Sequence, residues 1–377
     1  MDIKWRGIMI IGLDARPLVS PNPSGIGIYL LEILRHVEKT KGYKLILYSN
    51  ETIKNPDPII SSFEQRIVNG KVGTIVICLE LKKQLLKDNV DVFWGTEHMI
   101  PLFCKKIKRI VTVHDLALLI NSKWGSRKNA IMQNVFCRLS CKQADHIIAI
   151  SNATKNDLMS LLNINENKIS VIYNGGVSQE TSELSENEIV EMEHKYNVKK
   201  YKFFSYVGNI EPRKNISTIV KAYDMFCDKT KSDYKLILGG KISWRKDEIY
   251  AAIEACEHKS GIILPGYITA REKQFLMSLS TAFLFPSNYE GFGIPVIEAF
   301  SYGGIVITTD NSSLTEVGGE RAFYAKNNFE SLCEEMIKCS FITNSERNEL
   351  MRKNKIWSKR FSWQQCSEQT FKKLITF

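Results

Sequence analysis

KFFSYVGNI, at residues 202–210, shows how the chain is organised, because a pattern of strand and helix begins here for a second time. Its apolar residues, enclosed by polar ones, predict a short buried strand. The segment that follows, NISTIVKAYDMFCDK (215–229), carries apolar residues at helical spacing. Further strands are predicted at KLILGG (235–240), GIILPGYI (261–268), TAFLFPS (281–287) and GGIVITTD (303–310). Alternation of strand and helix indicates a parallel sheet with helices on both faces.

The first half of the chain carries an earlier set of the same kind. Its strands are predicted at GIMIIGL (7–13), KLILYS (44–49), TIVICL (74–79), DVFWG (91–95), RIVTVHD (109–115), HIIAIS (146–151) and KISVIYNGG (168–176). Because 377 residues exceed one ordinary hydrophobic core, the two sets predict an α/β protein of two doubly wound parallel-sheet domains. The polar segment SQETSELSENE (178–188) marks the division between them. We expect domains at 1–182 and 201–355, a linker at 183–200, and a final amphipathic helix at 356–377.

Composition and charge restrict the partners of the chain. The net charge is +10, and the excess of Lys and Arg is spread over both halves, which fits phosphorylated ligands or an anionic membrane surface. The sequence shows no RNA-binding signature, zinc finger or basic helix, so no nucleic acid is expected. No apolar run approaches the roughly 20 residues that span a bilayer. Nine cysteines without a CxxC pair indicate reduced thiols in a cytoplasmic protein and predict no metal site.

The stretch at 287–304, SNYEGFGIPVIEAFSYGG, contains two glutamates in an apolar setting. Gly291 and Gly293 allow the backbone to approach a ligand closely, and the proline that follows is typical of a first helical turn. The N-terminus of such a helix favours an anion such as a diphosphate. Glu290 precedes the helix and Glu298 lies within it, so the two carboxylates can bind hydroxyls of two different groups. The alternative is a solvated loop glutamate and a helix-surface glutamate.

Two further segments at predicted strand ends contain residues that suit a phosphate. VGNIEPRKN (207–215) places an Arg-Lys pair at the start of a helix, where both cations can hold phosphate oxygens. PNPSGIGIYLLEIL (21–34) places small residues before a helix, so that backbone amides can face a ligand, although the third glycine of a dinucleotide-binding loop is missing. The candidates are Gly25, Gly27, Gly208, Arg213 and Lys214. Exposed surface cations and a plain turn are the alternatives.

Three other segments lie at predicted strand ends, the position where α/β proteins carry functional side chains. VTVHDLALL (111–119) and WGTEHMIP (94–101) offer side chains for an acceptor, and LPGYIT (264–269) offers a tyrosine on which a base can stack. The candidates are Glu97, His98, His114, Asp115 and Tyr267. The alternative for each histidine is a structural role within the fold.

In their order these segments resemble the retaining, nucleotide-sugar-dependent glycosyltransferases often called family 4, which have the GT-B fold of two Rossmann-like domains facing a cleft. The resemblance runs nearly end to end, and the E-x7-E stretch is its most specific part. The matching segments are PSGIGIY, VHDL, ISNATKNDL, VIYNGG, VGNIEPRKN, LPGYI, FPSNYEGFGIPVIEAFSYGG, SSLTEVGG and FSW.

The resemblance implies roles for individual residues. It places Glu290 beside the donor sugar and Glu298 at the ribose hydroxyls. It assigns the departing diphosphate to Arg213 and Lys214, and a position near the transferred sugar to His114. The donor is further implied to contact Gly25, Gly27, Gly208, Tyr267, Gly291, Phe292, Gly293 and Ile294. No metal or other cofactor is expected, because these transferases generally need none and the chain has no DxD carboxylate pair. The C-terminal helix is implied to cross back to the first domain.

The resemblance further implies retaining transfer of a sugar from a nucleoside diphosphate sugar to a hydroxyl of a glycan or lipid-linked glycan. GDP-mannose is the expected donor, with a UDP-sugar or dTDP-rhamnose as the alternative. Two other functions stay open, namely a sugar-nucleotide 2-epimerase of the same fold and a non-catalytic partner subunit. We expect a cytoplasmic protein with peripheral contact to the anionic inner face of the membrane through basic clusters at 105–109 and 352–360. A solvated surface is the alternative for both clusters.

Overall fold

The computed structural model describes residues 8–37, 42–68, 73–126, 130–131, 133–177, 182–243 and 245–376. The chain forms two compact units. The first comprises Met1–Gly175 together with Ser362–Phe377, and the second comprises Gly176–Phe361. Each unit is built on its own parallel sheet.

Among its described residues, the first unit contains seven strands that form one sheet. They are β1 Met9–Asp14, β2 Tyr43–Ser49, β3 Glu64–Ile67, β4 Val92–Gly95, β5 Lys108–Val113, β6 His146–Ala149 and β7 Ile169–Val171. Every neighbouring pair is parallel, in the order β3-β2-β1-β4-β5-β6-β7. Apolar runs in the central strands are fully buried, as at Phe93, Val111 and Ile147, because helices cover both faces of a parallel sheet.

Six α-helices lie in the described residues of this part of the chain. They are α1 Gly25–Arg35, α2 Pro58–Ser61, α3 Gly73–Lys87, α4 Ala117–Ile120, α5 Arg138–Gln143 and α6 Asn152–Leu162. Ser151 caps α6 by accepting a hydrogen bond from the amide of Thr154 at 3.0 Å. The prediction of a strand at 74–79 is wrong, because this segment lies within α3. A short apolar run does not by itself distinguish a strand from a buried helix.

The second unit repeats this architecture with six strands and eight helices among its described residues. The strands are β8 Phe203–Val207, β9 Lys235–Gly239, β10 Ile262–Gly266, β11 Ala282–Phe285, β12 Val306–Thr309 and β13 Phe323–Ala325. The helices are α7 Glu186–Tyr196, α8 Ile216–Thr230, α9 Lys246–Glu254, α10 Ala270–Leu279, α11 Ile294–Ser301, α12 Leu314–Gly318, α13 Phe329–Ser340 and α14 Asn344–Ser358. The strands are parallel in the order β10-β9-β8-β11-β12-β13. The prediction of two doubly wound α/β domains is confirmed.

The division between the units differs from the boundaries expected from the sequence. The expected linker at 183–200 contains α7, and this helix belongs to the second unit. A capping box stabilises the start of α7, which explains why so polar a segment is helical. The C-terminal segment of the first unit begins at Ser362, rather than at residue 356, and forms α15, Trp363–Thr376. It packs on α1, where Ser367 Oγ donates to the carbonyl of Ile33 at 2.9 Å.

The strand order reverses once in each sheet, and α/β folds bind their ligands beside such a reversal, at the carboxyl ends of the strands. The reversal lies between β1 and β4 in the first sheet and between β8 and β11 in the second. The loops that follow these strands therefore position the candidate residues. Within the described ranges, no helix combines the length and the apolar character needed to cross a bilayer.

Candidate functional site

The main candidate site lies at the strand-order reversal of the second sheet. After β8 the chain passes Gly208 and forms a short 3₁₀ turn at Pro212–Lys214. After β11 it runs through a loop to Gly293, which caps α11. A backbone hydrogen bond joins the two loops, in which the amide of Asn288 donates to the carbonyl of Arg213 at 2.9 Å. The fold thus brings the EPRKN and EGFGIP segments together, although they are distant in the sequence.

Glu290 is the centre of an ion-pair cluster in this site. Lys214 Nζ donates to Glu290 Oε1 at 2.5 Å, and Arg213 Nη1 donates to Oε2 at 3.1 Å. Arg213 also donates to the carbonyl of Tyr289 at 2.9 Å and, through Nη2, to Glu211 Oε1 at 3.0 Å. The side chains of Glu290, Lys214 and Arg213 are only 9%, 12% and 17% exposed. Three residues predicted from the sequence are therefore in direct contact, together with Glu211, which the sequence did not single out.

Burial and charge act against each other on the pKa values of this cluster. Burial raises the pKa of the Glu290 carboxyl, but the cations of Lys214 and Arg213 outweigh burial and bring that pKa to about 2. Burial lowers the pKa of Lys214, and the Glu290 carboxylate offsets only part of this effect. Glu290 is therefore ionised at neutral pH, and each of its oxygens accepts a hydrogen bond from a cation.

Two serines after β12 hold the backbone around Glu290. Ser312 Oγ accepts a hydrogen bond from the amide of Glu290 at 3.0 Å. Ser313 Oγ lies 2.9 Å from the carbonyl oxygen of Glu290 and 2.8 Å from that of Phe292. Gly293 has a φ of +106°, a conformation that a side chain would strain. The turn between Glu290 and α11 consists of Gly291, Phe292 and Gly293, all buried, and Ile294 begins the helix. These contacts fix the point at which the chain enters α11.

The second glutamate of the stretch occupies a different place. Glu298 lies within α11 and accepts a hydrogen bond at 2.6 Å from Nζ of Lys273, which belongs to α10. Burial lowers the pKa of Lys273, but the Glu298 carboxylate outweighs burial and raises that pKa. The Glu298 side chain is 17% exposed. Glu290 and Glu298 thus have separate cationic partners, and the structure does not bring the two carboxylates into one cluster.

The remaining candidates of the second unit lie along the same edge of the sheet. Gly208 follows β8 directly, with a φ of +152°, and its amide donates to the carbonyl of Gly239 at 3.0 Å. Tyr267 follows β10 directly and is 88% exposed. Because β9 alone separates β10 from β8 in the sheet, Tyr267 and Arg213 are at the same carboxyl edge. Tyr267 offers an exposed ring for stacking on this edge.

His114 is buried at the carboxyl end of β5 in the first unit. Its Nε2 lies 2.8 Å from the carbonyl oxygen of Thr96. A carbonyl can only accept, so Nε2 carries the proton and Nδ1 is the acceptor of the neutral ring. Burial lowers the pKa of His114 to about 4, although the Thr96 carbonyl acts in the opposite direction. The ring is therefore neutral at physiological pH, and Tyr29 packs edge-on against it with ring centroids 4.8 Å apart.

The acceptor-side candidates lie on the loops that follow β4 and β5. His98 has a φ of +32°, and its Nδ1 is buried with no hydrogen-bond partner among the described residues. Asp115 Oδ1 accepts a hydrogen bond from the amide of Ala117 at 3.0 Å, which stabilises the start of α4. Glu97 is half-buried. Of these three residues, His98 is the one with a buried polar atom, Nδ1, that no described hydrogen bond accounts for.

The two glycines at the start of α1 have different surroundings. A methyl group at Gly27 would lie 2.4 Å from Cβ of Pro23 and 2.6 Å from the carbonyl oxygen of Pro17, so packing requires glycine there. A methyl group at Gly25 would have no neighbour within 4 Å. Packing therefore explains why Gly27 is a glycine, but it gives no reason for a glycine at the position of Gly25.

Three charged features of the structure are not indicated by the sequence motifs. Glu211 pairs with the candidate arginine, and Lys273 pairs with the second glutamate of the E-x7-E stretch. At the reversal of the first sheet, Asp14 is buried and accepts from Arg16 Nη2 at 2.5 Å, while Thr96 Oγ1 donates to its carbonyl at 2.6 Å. The available signals were a glutamate beside the EPRKN cations and two charges directly after the first predicted strand.

The fold and this site define a class of protein. Two Rossmann-like units repeat one strand order, and the second holds an Arg, a Lys and the start of α11 together at its reversal point. Cations and free helix amides of this kind bind phosphate groups. The class is therefore an α/β protein of two Rossmann-like units, with a cationic cluster of this kind at the strand-order reversal of the second unit.

Comparison with known families identifies the class more closely. The family model "Glycosyl transferases group 1" matches residues 189–356, and "Glycosyltransferase Family 4" matches residues 23–176. Together the two models match most of the chain, which carries both glycosyltransferase domains that they describe and is a transferase enzyme of the GT-B fold.

Named relatives and solved structures agree with this assignment. The chain is 27% identical to O-antigen chain mannosyltransferase B of Escherichia coli over 287 residues, which cover 76% of this chain and 74% of the relative. It is also 27% identical to O-antigen chain mannosyltransferase RfbU of Salmonella typhimurium, over 69% of this chain and 67% of the relative. Among solved structures, WaaG, a glycosyltransferase involved in lipopolysaccharide biosynthesis, has a TM-score of 0.76 at 16% identity, with 97% and 99% of the two chains covered. HepE of Anabaena in complex with UDP-glucose has a TM-score of 0.76 at 15% identity over 98% of this chain and all of the other. At such identities the two structures support the fold alone.

Proposed function

We propose that this glycosyltransferase moves mannose from GDP-mannose to a hydroxyl of a glycan or lipid-linked glycan, with retention of the anomeric configuration. The observation that carries the proposal is the cluster of Arg213, Lys214 and Glu290 directly before α11. The choice of mannose draws on the O-antigen mannosyltransferases that match most of the chain. A UDP-sugar or dTDP-rhamnose is the alternative donor.

In the proposed complex the diphosphate of the donor lies against Arg213, Lys214 and the N-terminus of α11. Negative charge builds up on the diphosphate as its bond to the sugar breaks, and cations already held in place stabilise that charge. Arg213 and Lys214 are held in this way, since both donate to Glu290. Glu298 binds the ribose hydroxyls and Tyr267 stacks on the base in this arrangement.

Retention does not require Glu290 to transfer a proton. A carboxyl with a pKa of about 2 is ionised at neutral pH, and a base this weak takes little part in proton transfer. In the proposed step the bond from the anomeric carbon to the diphosphate oxygen breaks, and a bond to the acceptor oxygen forms on the same face of the sugar. The proton of the acceptor hydroxyl passes to the departing diphosphate. Glu290 holds the two cations, and its remaining lone pairs face hydroxyls of the sugar.

His114 contributes a hydrogen-bond acceptor in the first unit. Its Nε2–H is committed to the carbonyl of Thr96, which leaves Nδ1 to accept from a hydroxyl of the substrate. Because its pKa is about 4, the ring does not change its charge across the physiological pH range. We therefore expect His114 to position a sugar hydroxyl rather than to act as an acid.

The proposed reaction needs no metal, because Arg213 and Lys214 supply the positive charge that the departing diphosphate requires. The proposed location is the cytoplasm, with peripheral contact to the inner face of the cytoplasmic membrane, where a lipid-linked glycan acceptor is available. The net charge of +10 favours contact with anionic lipids.

A thermal-shift panel with GDP, UDP, dTDP and ADP tests the donor first. We expect GDP to raise the unfolding temperature most, because the proposed donor is GDP-mannose. A ligand that binds only the native state stabilises the protein by mass action. Turnover of GDP-mannose with a mannose-containing acceptor then tests transfer, and NMR of the product reports its anomeric configuration. A product that keeps its nucleotide would point to the 2-epimerase, and GDP binding without turnover would point to the non-catalytic subunit.

The variant Arg213→Ala tests the role of the cluster. Loss of one group that stabilises the leaving charge should lower the rate by about a hundredfold. Arg66→Ala is a matched control, because Arg66 also lies near two carboxylates, Glu64 and Asp88, but on the edge strand β3 of the first unit. Near-full activity of Arg213→Ala with a confirmed substrate would refute the proposal.

A further inference from the structure

Phe103 lies on the loop between β4 and β5 and is held in solvent by its own backbone. Its ring is 74% exposed and its φ is +54°, a left-handed conformation that costs a residue with a side chain about 1–2 kcal/mol. The Phe103 amide donates to Gln143 Oε1 at 2.7 Å, and its carbonyl accepts from Lys82 Nζ at 2.9 Å. Side chains from two helices therefore fix the backbone, while the aromatic ring stays outside the core.

Helix α3 presents an exposed apolar stripe beside Phe103. Leu79 is 55% exposed and Leu86 is 39% exposed. Lys82 lies between them, and residues at this spacing of three and four share one face of a helix. Because Lys82 reaches the carbonyl of Phe103, the stripe and the exposed ring belong to one surface patch. We call Leu79, Lys82, Leu86, Phe103, Lys105 and Lys106 the Phe103 patch.

The lysines around this patch carry charge that the described residues do not neutralise. Within the described part of the chain, no carboxylate pairs with Lys82, Lys87, Lys105 or Lys106. The nearby Glu80 is already paired with Lys83 at 2.8 Å. The patch therefore combines exposed apolar side chains with unneutralised ammonium groups.

One residue of the basic cluster expected at 105–109 does not belong to this surface. Arg109 is buried, and its Nε lies 3.5 Å from Asp145 Oδ2. Its charge is thus used inside the first unit, and the expectation of lipid contact is wrong for this residue. Lys105 and Lys106, in contrast, are exposed.

The patch lies at the amino edge of the first sheet. Lys105 and Lys106 shortly precede Lys108, the first residue of β5. Gln143, which holds the Phe103 amide, is the last residue of α5 and shortly precedes β6. His114 follows the opposite, carboxyl end of β5. The Phe103 patch and the reaction site proposed for this unit are therefore at opposite edges of the same sheet.

We propose that the Phe103 patch docks on an anionic lipid surface, with the Phe103 ring inserted among the acyl chains and the lysines at the headgroups. A bilayer offers both requirements at once, since aromatic rings and leucines gain from leaving water while lysines keep their charged ends at anionic headgroups. Because the backbone of Phe103 is already fixed, insertion of the ring orders only its side-chain torsions and no further backbone. The inference deepens the membrane contact of the proposed function and rests on it for the lipid-linked acceptor. Docking by this edge turns the carboxyl edge of the sheet away from the lipid, so the enzyme acts on the distal end of an elongated glycan.

Sedimentation with vesicles tests the proposal on the full chain. Vesicles of phosphatidylcholine with about 30% phosphatidylglycerol provide the anionic surface, and pure phosphatidylcholine provides the neutral one. Phe103→Asn removes the ring but suits a positive φ, so the fold should be kept or slightly stabilised. We expect about tenfold weaker binding to the anionic vesicles from the lost apolar burial. Joint replacement of Lys105 and Lys106 by Gln should weaken binding by about 25-fold, since each lysine near the surface contributes about fivefold.

Phe341→Asn is the matched control, because Phe341 is 75% exposed but lies in the second unit. It should bind vesicles like the unaltered chain. Equal binding of Phe103→Asn and the unaltered chain, equal binding to neutral and anionic vesicles, or no vesicle binding at all would each overturn the proposal; in the last case the patch fits a protein partner. GDP binding is measured on the same samples. Vesicle binding without nucleotide binding would sink the proposed function alone, and nucleotide binding without vesicle binding would sink this inference alone.

Discussion

Replacement of Glu290 by Gln tests the physical reasoning about the site most directly. The substitution keeps the size of the side chain and removes its charge. In the native cluster Glu290 accepts from Lys214 and Arg213, and all three side chains are largely buried. Removing one partner of a buried ion pair leaves the other charge without compensation, which is far more costly than losing an exposed pair. We therefore expect the second unit to lose stability as well as transferase activity.

The magnitude follows from the pKa of Glu290. Its folded-state pKa of about 2 lies below the ordinary value of 4.5, because Lys214 and Arg213 outweigh the opposing effect of burial. At 1.36 kcal/mol per pH unit this difference corresponds to about 3 kcal/mol. The unfolded carboxyl binds a proton more readily than the folded one, so this contribution is complete above pH 4.5 and is lost as the pH falls towards 2. Glu290→Gln should therefore lower the free energy of unfolding by about 3 kcal/mol at neutral pH. This value is at the lower end of the range for breaking a buried ion pair.

In the Glu290→Gln variant, stability depends on pH through the protonation of Lys214. Lys214 has a lowered pKa in the fold, and loss of the Glu290 carboxylate removes one of the effects that oppose this lowering. The unfolded lysine then binds a proton more readily than the folded one, so stability of the variant should rise as the pH rises through the alkaline range. The second substitution Lys214→Met removes the buried charge altogether. We expect the double variant to recover part of the stability that Glu290→Gln loses.

Thermal unfolding at neutral pH measures the effect. For a unit of this size, about 3 kcal/mol lowers the unfolding temperature by roughly 6–12 °C. Glu248→Gln is the control, because Glu248 also pairs with an arginine, Arg245, but is 59% exposed. An exposed pair of this kind contributes about 0–1 kcal/mol. A loss for Glu290→Gln no larger than that of the control would refute the account of Glu290 as a buried carboxylate stabilised by two cations.

Four further substitutions test other parts of the protein. Glu211→Gln removes a negative charge from Arg213 at a partly exposed position, and calorimetry should show GDP binding several-fold more tightly, while weaker binding would contradict it. Glu298→Gln should raise KM for the donor about tenfold with little change in kcat, because a ribose contact is the same in ground and transition state; a lower kcat at unchanged KM would exclude a ribose role. Gly25→Ala should leave the unfolding temperature unchanged and lower activity, because the loop of the proposed site faces a ligand. Gly27→Ala should instead destabilise the first unit by about 1–3 kcal/mol through overpacking. Full activity of Gly25→Ala would show that this glycine is not part of the site.

Local sequence patterns were sufficient to predict most of the fold. Short apolar runs between turn residues identified most of the central strands of both sheets, because buried parallel strands are apolar on both faces. The strand predictions failed for three segments. The apolar run at 74–79 belongs to a helix, and the edge strands β3 and β13 carry too few buried residues to show an apolar run. Edge and ambiguous segments take their structure from tertiary contacts, which a local pattern does not contain.

The site was predictable as a set of residues but not as a network of contacts. The glycines and the proline of EGFGIP indicated the start of a helix, and the structure begins α11 at Ile294. The sequence did not indicate that Glu290 accepts from both Lys214 and Arg213, since this pairing depends on β8 and β11 being neighbours in the sheet. The pairing of Glu298 with Lys273 depends in the same way on helices α10 and α11. Which charged side chains meet depends on the order of the strands and helices in space. The sequence predicted the class of fold but not that order.

The charges of the cluster also bear on how the proposed donor site works. Arg213, Lys214, Glu211 and Glu290 sum to zero, so the empty cluster does not attract a diphosphate through its net charge. Its contribution is geometric, because the two carboxylates hold the cations in place before the ligand arrives, and little reorganisation is needed as charge develops. An arrangement that binds the intact donor weakly and the departing diphosphate more strongly favours the transition state over the ground state. On this argument Glu211 restrains donor and product binding, so tighter GDP binding in Glu211→Gln should be accompanied by slower product release and a lower kcat.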